Sequence, residues 1–178
     1  MQISAGELAQ EMVKDIPIPE PVIHVGPASP DQVAVKVPVA MWVDQQVVAP
    51  VTATAGAVSV TATPRLQSVS WSMGDPIDPA NPGVLADPVV CSGSAMYVKP
   101  AGSDPAYWPC KYTYIWKSTA ARTGGTEKWP IIATATWVID WTATTGESGA
   151  ITAPPAVTDT EQRVGQWTAI GVPAPVGG

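Results

Sequence analysis

The sequence predicts an all-β protein built as an antiparallel β-sandwich, and three observations support this fold class. Residues 129–142, WPIIATATWVIDWT, alternate with a period of two, and every second side chain from Ile131 to Trp141 is uncharged. The chain has 178 residues with 20 prolines, and this proline density excludes long helices over most of its length. About eight strand-like segments are separated by turn signals, a spacing typical of sandwiches.

The long alternating segment predicts one half-buried strand with a defined core face. Its odd-numbered positions carry no charge, whereas its even-numbered positions include Asp140. Since the side chains of a strand alternate between its two faces, we expect the odd positions to face the core. A slip in register would bury Asp140 and expose Trp137, so the pairing of this strand should be strongly specified.

Composition narrows the class of protein. Hydrophobic residues make up 46% of the chain, enough to build the core of one large domain. Charged residues make up only 13%, about half the usual share, which suits a β-rich extracellular protein better than a helical cytosolic enzyme. The net charge of −6 argues against nucleic-acid or anionic-lipid partners, because nothing would neutralise a row of phosphates.

Residues 1–45 predict a helix and an extended strap that pack on or beside the sandwich. Ser4 and Glu7 form a capping box, and an apolar stripe follows at helical spacing. Such a short helix is marginal alone, so its stripe needs cover from the rest of the protein or from a partner. Residues 16–30 are proline-rich and extended, which is typical of a polyproline strap or an edge strand that lies along a surface. The helical stripe consists of Ala5, Leu8, Ala9, Met12 and Val13.

Strand patterns continue through the chain, with the sandwich itself placed at 46–170 and a mobile tail at 171–178. Ala55 and Gly56 mark a hairpin. Residues 74–109 lose all periodicity, and a loop of this length inside a compact domain is often functional. Turns are expected at 120–126 and 144–149, and strands at 33–43, 46–54, 57–63, 66–73, 110–116, 151–157 and 161–170 besides 129–142.

Cys91 and Cys110 are the two cysteines of the chain, and they bracket the second half of the irregular segment. An even count in an exported-looking chain favours a disulfide, which would contribute roughly 3 kcal/mol in the chain-entropy model. Two buried free thiols are the alternative. No leader peptide and no membrane-spanning segment are visible, so an exported protein would be a trimmed form, extracellular or at the cell surface.

Three short motifs resemble the PKD (polycystic kidney disease) domain signature. They are Trp71-Ser72-Met73-Gly74-Asp75, then Tyr112-Thr113-Tyr114, and then the Gly124-Gly125 turn that leads into the long alternating strand. The resemblance covers residues 57–142. It implies an immunoglobulin-like β-sandwich, and the N-terminal helix and proline-rich strap would be additions to that fold.

A closer similarity is to uncharacterised exported actinobacterial proteins with PKD-like domains, and it spans most of the chain. This similarity implies export and a Cys91–Cys110 disulfide, and it implies no activity. Three departures are that Pro76 replaces a glycine, that Tyr112 stands where the family has histidine, and that Trp129-Pro130 stands where the family has an aromatic residue followed by a strand residue. The shared segments include Leu8-Ala9-Gln10, Met41-Trp42-Val43-Asp44, Pro50-Val51-Thr52-Ala53-Thr54-Ala55, Val58-Ser59-Val60-Thr61-Ala62-Thr63-Pro64, Cys110-Lys111-Tyr112-Thr113-Tyr114 and Ala133-Thr134-Ala135-Thr136-Trp137.

Asp75 is the polar residue most open to a functional interpretation. With Asp78, Asp87 or Asp104 it could bind Ca²⁺, since hard cations take several oxygen ligands. The spacing matches no EF-hand, and the simpler prediction is a carboxylate that accepts backbone N–H bonds and organises the turn after Gly74. We therefore expect no metal and no cofactor, with calcium at Asp75 as the alternative.

The motifs of known enzyme classes are absent from the sequence. His24 is the only histidine, and no serine, cysteine or carboxylate motif beside it suggests a catalytic triad. No nucleophile elbow, glycine-rich phosphate loop or zinc-protease motif occurs, and two cysteines with an isolated histidine make no zinc site. We therefore expect that the protein is not an enzyme.

Aromatic residues in the irregular segment are the better candidates for a binding site. Tyr97, Tyr107 and Trp108 could stack on sugars or anchor a protein partner. The alternative is that Trp108 closes one end of the sandwich beside Cys110. Trp71 lies on a predicted core face, so we expect it to pack in the interior.

These observations predict a non-catalytic extracellular module with a structural or adhesive role, which binds a protein partner or assembles with itself. The apolar stripe of the N-terminal helix motivates the partner. A carbohydrate-binding module that takes a polysaccharide on Tyr97, Tyr107 and Trp108 is one alternative. A virion decoration or tail protein is another, and free thiols at Cys91 and Cys110 would favour it.

Overall fold

The computed structural model describes residues 2–28, 32–100 and 104–166. Residues 167–178, with Trp167 and the expected tail, lie outside the described part. The helices are α1 (Ala5–Val13) and α2 (Ala120–Thr123), with short 3₁₀ turns at Gly93–Tyr97 and Pro105–Tyr107. The strands are β1 (Ile23–Gly26), β2 (Gln32–Ala34), β3 (Pro38–Val43), β4 (Val51–Ala55), β5 (Val58–Ser72), β6 (Val89–Ser92), β7 (Lys111–Thr113), β8 (Trp129–Ala143), β9 (Ser148–Thr152) and β10 (Ala156–Gly165).

Two sheets form the architecture within the described residues. The larger sheet has the order β2-β10-β8-β5-β4, with β6 also paired to β5 and β9 to β8, and the smaller sheet has the order β1-β3-β7. Nearly all pairings are antiparallel, as predicted, but β2 runs parallel to β10. One continuous hydrophobic core includes Met41 from the smaller sheet and Trp137 from the larger one. The predicted all-β, sandwich-like class is therefore confirmed.

Strand β8 has the faces that its alternation predicts. Ile131, Trp137 and Ile139 are buried, whereas Asp140 lies on the opposite face and pairs with Arg65 at 2.6 Å. The opposite face is not uniformly exposed, since Val138 is buried as well. Strand β8 is antiparallel to β5, β9 and β10, so this segment is the centre of the larger sheet.

Strand β5 corrects the prediction of two strands at 57–63 and 66–73. It is one continuous strand of 15 residues, with a register shift against β8 between Leu66 and Ser68. This β-bulge moves the buried positions from even numbers, such as Val60, to odd numbers, such as Trp71. A bulge therefore allows two segments with opposite parity to share one core face.

The single strand predicted at 33–43 was also wrong. The segment crosses from the larger sheet, where β2 pairs with β10, to the smaller sheet, where β3 pairs with β1 and β7. Lys36, with φ of 64°, makes the turn between them, and Pro38 begins β3. A left-handed residue cannot continue a strand, and a proline donates no ladder hydrogen bond, so the break falls here.

Helix α1 covers its apolar stripe within the chain. The Ser4 side chain accepts a hydrogen bond from the N–H of Glu7, and the Glu7 carboxylate accepts one from the N–H of Ser4, as the capping box predicts. Leu8 and Met12 are buried in the common core, and α1 contacts β4, β5, β8 and β9. The unpartnered stripe that motivated a binding partner does not exist in the folded chain.

Other element bounds differ from the predictions because short apolar runs do not mark their own ends. The first strand of the hairpin begins at Val51 rather than at residue 46, and the strand expected at 110–116 is only β7. Strand β9 begins at Ser148, before the strand expected at 151–157, and β10 runs from Ala156 to Gly165 across parts of both strands expected at 151–157 and 161–170. Residues 167–170 of the second expected strand lie outside the described part, and β6 lies inside the segment expected to be irregular.

No helix among the described residues is long and apolar enough to cross a membrane.

The Cys91–Cys110 disulfide is present and joins the two sheets. Cys91 belongs to β6 on the edge of the larger sheet, and Cys110 directly precedes β7 of the smaller sheet. Both cysteines are buried, and their Cα atoms are 6.0 Å apart. The bridge therefore fixes the irregular segment between them against both layers.

Candidate functional site

Asp75 is a buried carboxylate that connects three segments. Asp75 is only 1% exposed. It directly follows Gly74, just beyond the end of β5. Asp75 Oδ2 accepts hydrogen bonds from Tyr112 Oη at 2.9 Å and from the backbone N–H of Ile115 at 2.8 Å. The backbone carbonyl of Asp75 accepts a bond from Ala86. Asp75 thus fixes the chain that follows β7 against the loop that follows β5.

Burial dominates the electrostatics of this carboxylate. Loss of water raises the pKa of Asp75, and the hydrogen bonds from Ile115 and Tyr112 offset only part of that effect. Burial together with the adjacent carboxylate raises the pKa of Tyr112 well above its usual value, so Tyr112 remains a hydrogen-bond donor. The arrangement suits a structural link between segments.

Two other aspartates considered for calcium form hydrogen bonds in their own turns and not with the partners of Asp75. Asp78 accepts a hydrogen bond from the N–H of Ala80, and Asp104 accepts one from the N–H of Ala106. Each therefore organises its own turn. Within the described ranges no group of three or more histidine, cysteine, aspartate or glutamate side chains is arranged to hold a metal.

The three aromatic residues singled out from the sequence occupy different environments. Tyr107 is 84% exposed, Trp108 is half-buried, and Tyr97 is half-buried against the core. No ring contact joins any two of them in the described part of the chain. Trp108 lines a concave surface, and the other aromatic residue on that surface is Trp42.

Trp42 and Trp108 lie in one apolar groove with a volume of about 500 Å³. The groove lies where the segment before Cys110 meets β3 and the end of β1. Trp42 lies at an outward position of β3, since its neighbours Met41 and Val43 are buried. Four prolines and three other residues share the lining with the two indoles: Pro27, Pro38, Pro100, Pro105, Gly26, Val37 and Lys99.

His24 supports the Trp42 side of this groove. The two rings stack with centroids 5.3 Å apart and planes at 15°, and His24 Nε2 lies 2.9 Å from Asp44 Oδ1. Gly26 lies beside the indole, since a Cβ there would make an ordinary van der Waals contact of 3.6 Å with the Trp42 ring. His24 therefore helps to position the Trp42 ring.

The sequence reasoning did not identify Trp42 as a site residue. Its strand pattern carried only a partial signal, because Trp42 has the opposite parity to Met41 and Val43 but the same parity as Ala40, which is buried. The sequence pattern alone does not decide whether Trp116 and Trp129 face the core. Trp129 is buried, and its Nε1 donates to the Trp116 carbonyl at 2.9 Å.

A scan against protein-family models finds no family that matches this chain. Searches of curated proteins and of solved structures find no match either. The PKD resemblance therefore remains a prediction from the sequence motifs, and any function rests on the geometry of the site.

Proposed function

We propose that this chain is a non-catalytic, extracellular adhesive module with a PKD/immunoglobulin-like fold, whose groove between Trp42 and Trp108 binds an extended, proline-containing segment of a partner protein. The observation that carries the proposal is the lining of the groove, two indole rings with four prolines in one open depression. Aromatic-lined grooves are a recurring way to bind polyproline II segments, which lose little conformational entropy on binding.

The same lining favours a peptide over a sugar. A sugar carries hydroxyl groups around its ring, and each buried hydroxyl needs a hydrogen-bond partner. Among the lining side chains only Lys99 carries a charged polar group, while prolines, Val37 and the indoles make up most of the rest. A carbohydrate-binding role for Tyr97, Tyr107 and Trp108 is also disfavoured by their separation.

Two further features support an extracellular role. The buried Cys91–Cys110 disulfide is stable in oxidising compartments and rare in the cytosol. Charged residues are only 13% of the chain, and the resemblance to exported PKD-like proteins points the same way.

The experiment is an NMR titration of the full chain with acetylated decaproline, in which the indole N–H resonances of Trp42 and Trp108 are followed. We expect both resonances to shift and the binding to weaken by about tenfold in Trp42→Ala. Tyr107→Ala is the matched control, since it removes an exposed aromatic residue outside the groove. Cellohexaose serves as a second ligand. A shift with cellohexaose alone would make the groove a carbohydrate site, and no shift with either ligand would overturn the proposal.

A further inference from the structure

A second concave surface, with a volume of about 480 Å³, differs from the apolar groove because several of its lining residues are basic. It is formed by the turn between β2 and β3, the chain after β7, helix α2 and the residue after β10. No acidic residue lines it. Its lining consists of Val35, Lys36, Ile115, Trp116, Lys117, Arg122 and Gln166, and we call it the basic pocket.

The basic pocket concentrates positive charge in an acidic protein. The chain has 9 lysines and arginines and a net charge of −6, yet Lys36, Lys117 and Arg122 all line this one depression. Within the described ranges, ion pairs join other residues, and these three cations have none. Like charges held together without a counter-charge repel one another, so an anion in the pocket would relieve this repulsion.

Arg122 is held in place by contacts that use only part of the hydrogen-bonding capacity of its guanidinium. Its Nη1 donates to the Lys117 carbonyl at 3.1 Å, and its guanidinium lies 5.2 Å from the centroid of the Trp116 ring. An arginine has five N–H donors, so several remain for a ligand. A fixed guanidinium loses less side-chain entropy on binding, and it matches a carboxylate in a bidentate geometry.

The backbone around the pocket is also fixed. Lys36 adopts the left-handed region with φ of 64°, which is unfavourable for a residue with a side chain and is found preferentially at functional sites. Its N–H donates to the Tyr114 carbonyl at 2.8 Å. On the other wall, buried Asp75 holds the N–H of Ile115, and the Trp116 carbonyl accepts from Trp129. The cations therefore project from a rigid frame.

We infer that the basic pocket binds a compact ligand that carries a carboxylate beside an apolar group. Arg122 and Lys117 would hold the carboxylate, while Ile115, which is 55% exposed, and Trp116 would contact the apolar part. A long polyanion fits less well, because the acidic remainder of the protein would repel it. A free organic acid and the C-terminal residue of a partner protein present this same chemistry.

The test is a ¹H–¹⁵N NMR titration of the full chain with sodium benzoate, with benzamide as the neutral isostere. We expect the Trp116 indole and Arg122 Nε resonances to shift with benzoate and not with benzamide. Arg122→Gln and Lys117→Gln should each weaken benzoate binding by about tenfold. Lys128→Gln removes the same charge from an exposed position outside the pocket and should leave the binding unchanged.

Two peptide arms separate the sources of the carboxylate. A hexapeptide ending in leucine with a free C terminus is compared with its C-terminal amide. Tighter binding of the free peptide than of benzoate identifies a partner's C terminus as the source, and the reverse order identifies a free organic acid. Equal responses to benzoate and benzamide, or equal weakening by Lys128→Gln and Arg122→Gln, would overturn the inference. Trp42→Ala should still bind benzoate, so this test does not depend on the proposed groove.

Discussion

Tyr112 donates its phenolic hydrogen bond to Asp75 over 2.9 Å, although the two residues are 37 positions apart in the chain. The bond joins β7 of the smaller sheet to the loop that leaves β5 of the larger sheet. Because the same carboxylate oxygen holds the N–H of Ile115, it also positions one wall of the basic pocket. A motif that looked like a local turn in the sequence is therefore a link between layers.

The free energy of unfolding should depend on pH through Asp75. Burial raises its pKa above the ordinary 3.8, so the folded state binds this proton more tightly than the unfolded state. The contribution is fully present below the ordinary pKa and is lost as the pH rises through the raised folded pKa. We expect the stability of the wild type relative to Asp75→Asn to fall over that interval, measured by urea unfolding at a series of pH values. Asp78→Asn is the control, and parallel profiles for wild type and Asp75→Asn would contradict the assignment.

Removal of the disulfide should destabilise the fold. The double variant Cys91→Ala/Cys110→Ala should lose about 3 kcal/mol, because the unfolded chain regains the freedom that the closed loop denies it. Urea unfolding with and without dithiothreitol measures this loss. The reductant should lower the stability of the wild type and leave the double variant unchanged. Equal stability of the reduced and oxidised wild type would show that the bridge contributes nothing.

Gly74 should tolerate no side chain. Its φ is 76°, and a Cβ there would overlap the carbonyl oxygen of Pro130 in the neighbouring strand. Gly56 has a similar φ of 61° but open space around it, so it serves as the matched control. We expect Gly56→Ala to cost about 1 kcal/mol from backbone strain alone. Gly74→Ala should cost about 3 kcal/mol or more because of the added clash, and thermal unfolding of both variants would compare them.

Helix α1 should stabilise the chain to which it belongs. Leu8→Ala removes a buried side chain and should cost about 2–3 kcal/mol, whereas Gln10→Ala on the exposed face should have little effect. Denaturant unfolding at two protein concentrations is the measurement. The loss should be the same at both concentrations, because the contact lies within one chain. A concentration-dependent loss would mean that α1 packs against a second copy.

The helix and the longest strand could be predicted because their signals are local. Ser4 and Glu7 lie within one helical turn, and the alternation around Trp137 needs only the period of a strand. The disulfide followed from the count of cysteines and from the resemblance. No such rule identifies the groove, because Trp42 and Trp108 come from separate segments whose approach depends on how β1, β3 and the disulfide-linked loop assemble.

The sequence by itself determined the all-β class, the capped helix, the core face of β8 and the acidic, weakly charged character of the protein. Periodicity and composition are properties of neighbouring residues, and neighbouring residues are enough to set them. Tertiary structure alone decided the bulge in β5, the crossing of 33–43 between sheets, and the meeting of Lys36, Lys117 and Arg122 in one pocket. These features arise from the pairing of distant strands, and that pairing is chosen by the packing of the whole core rather than by any single segment.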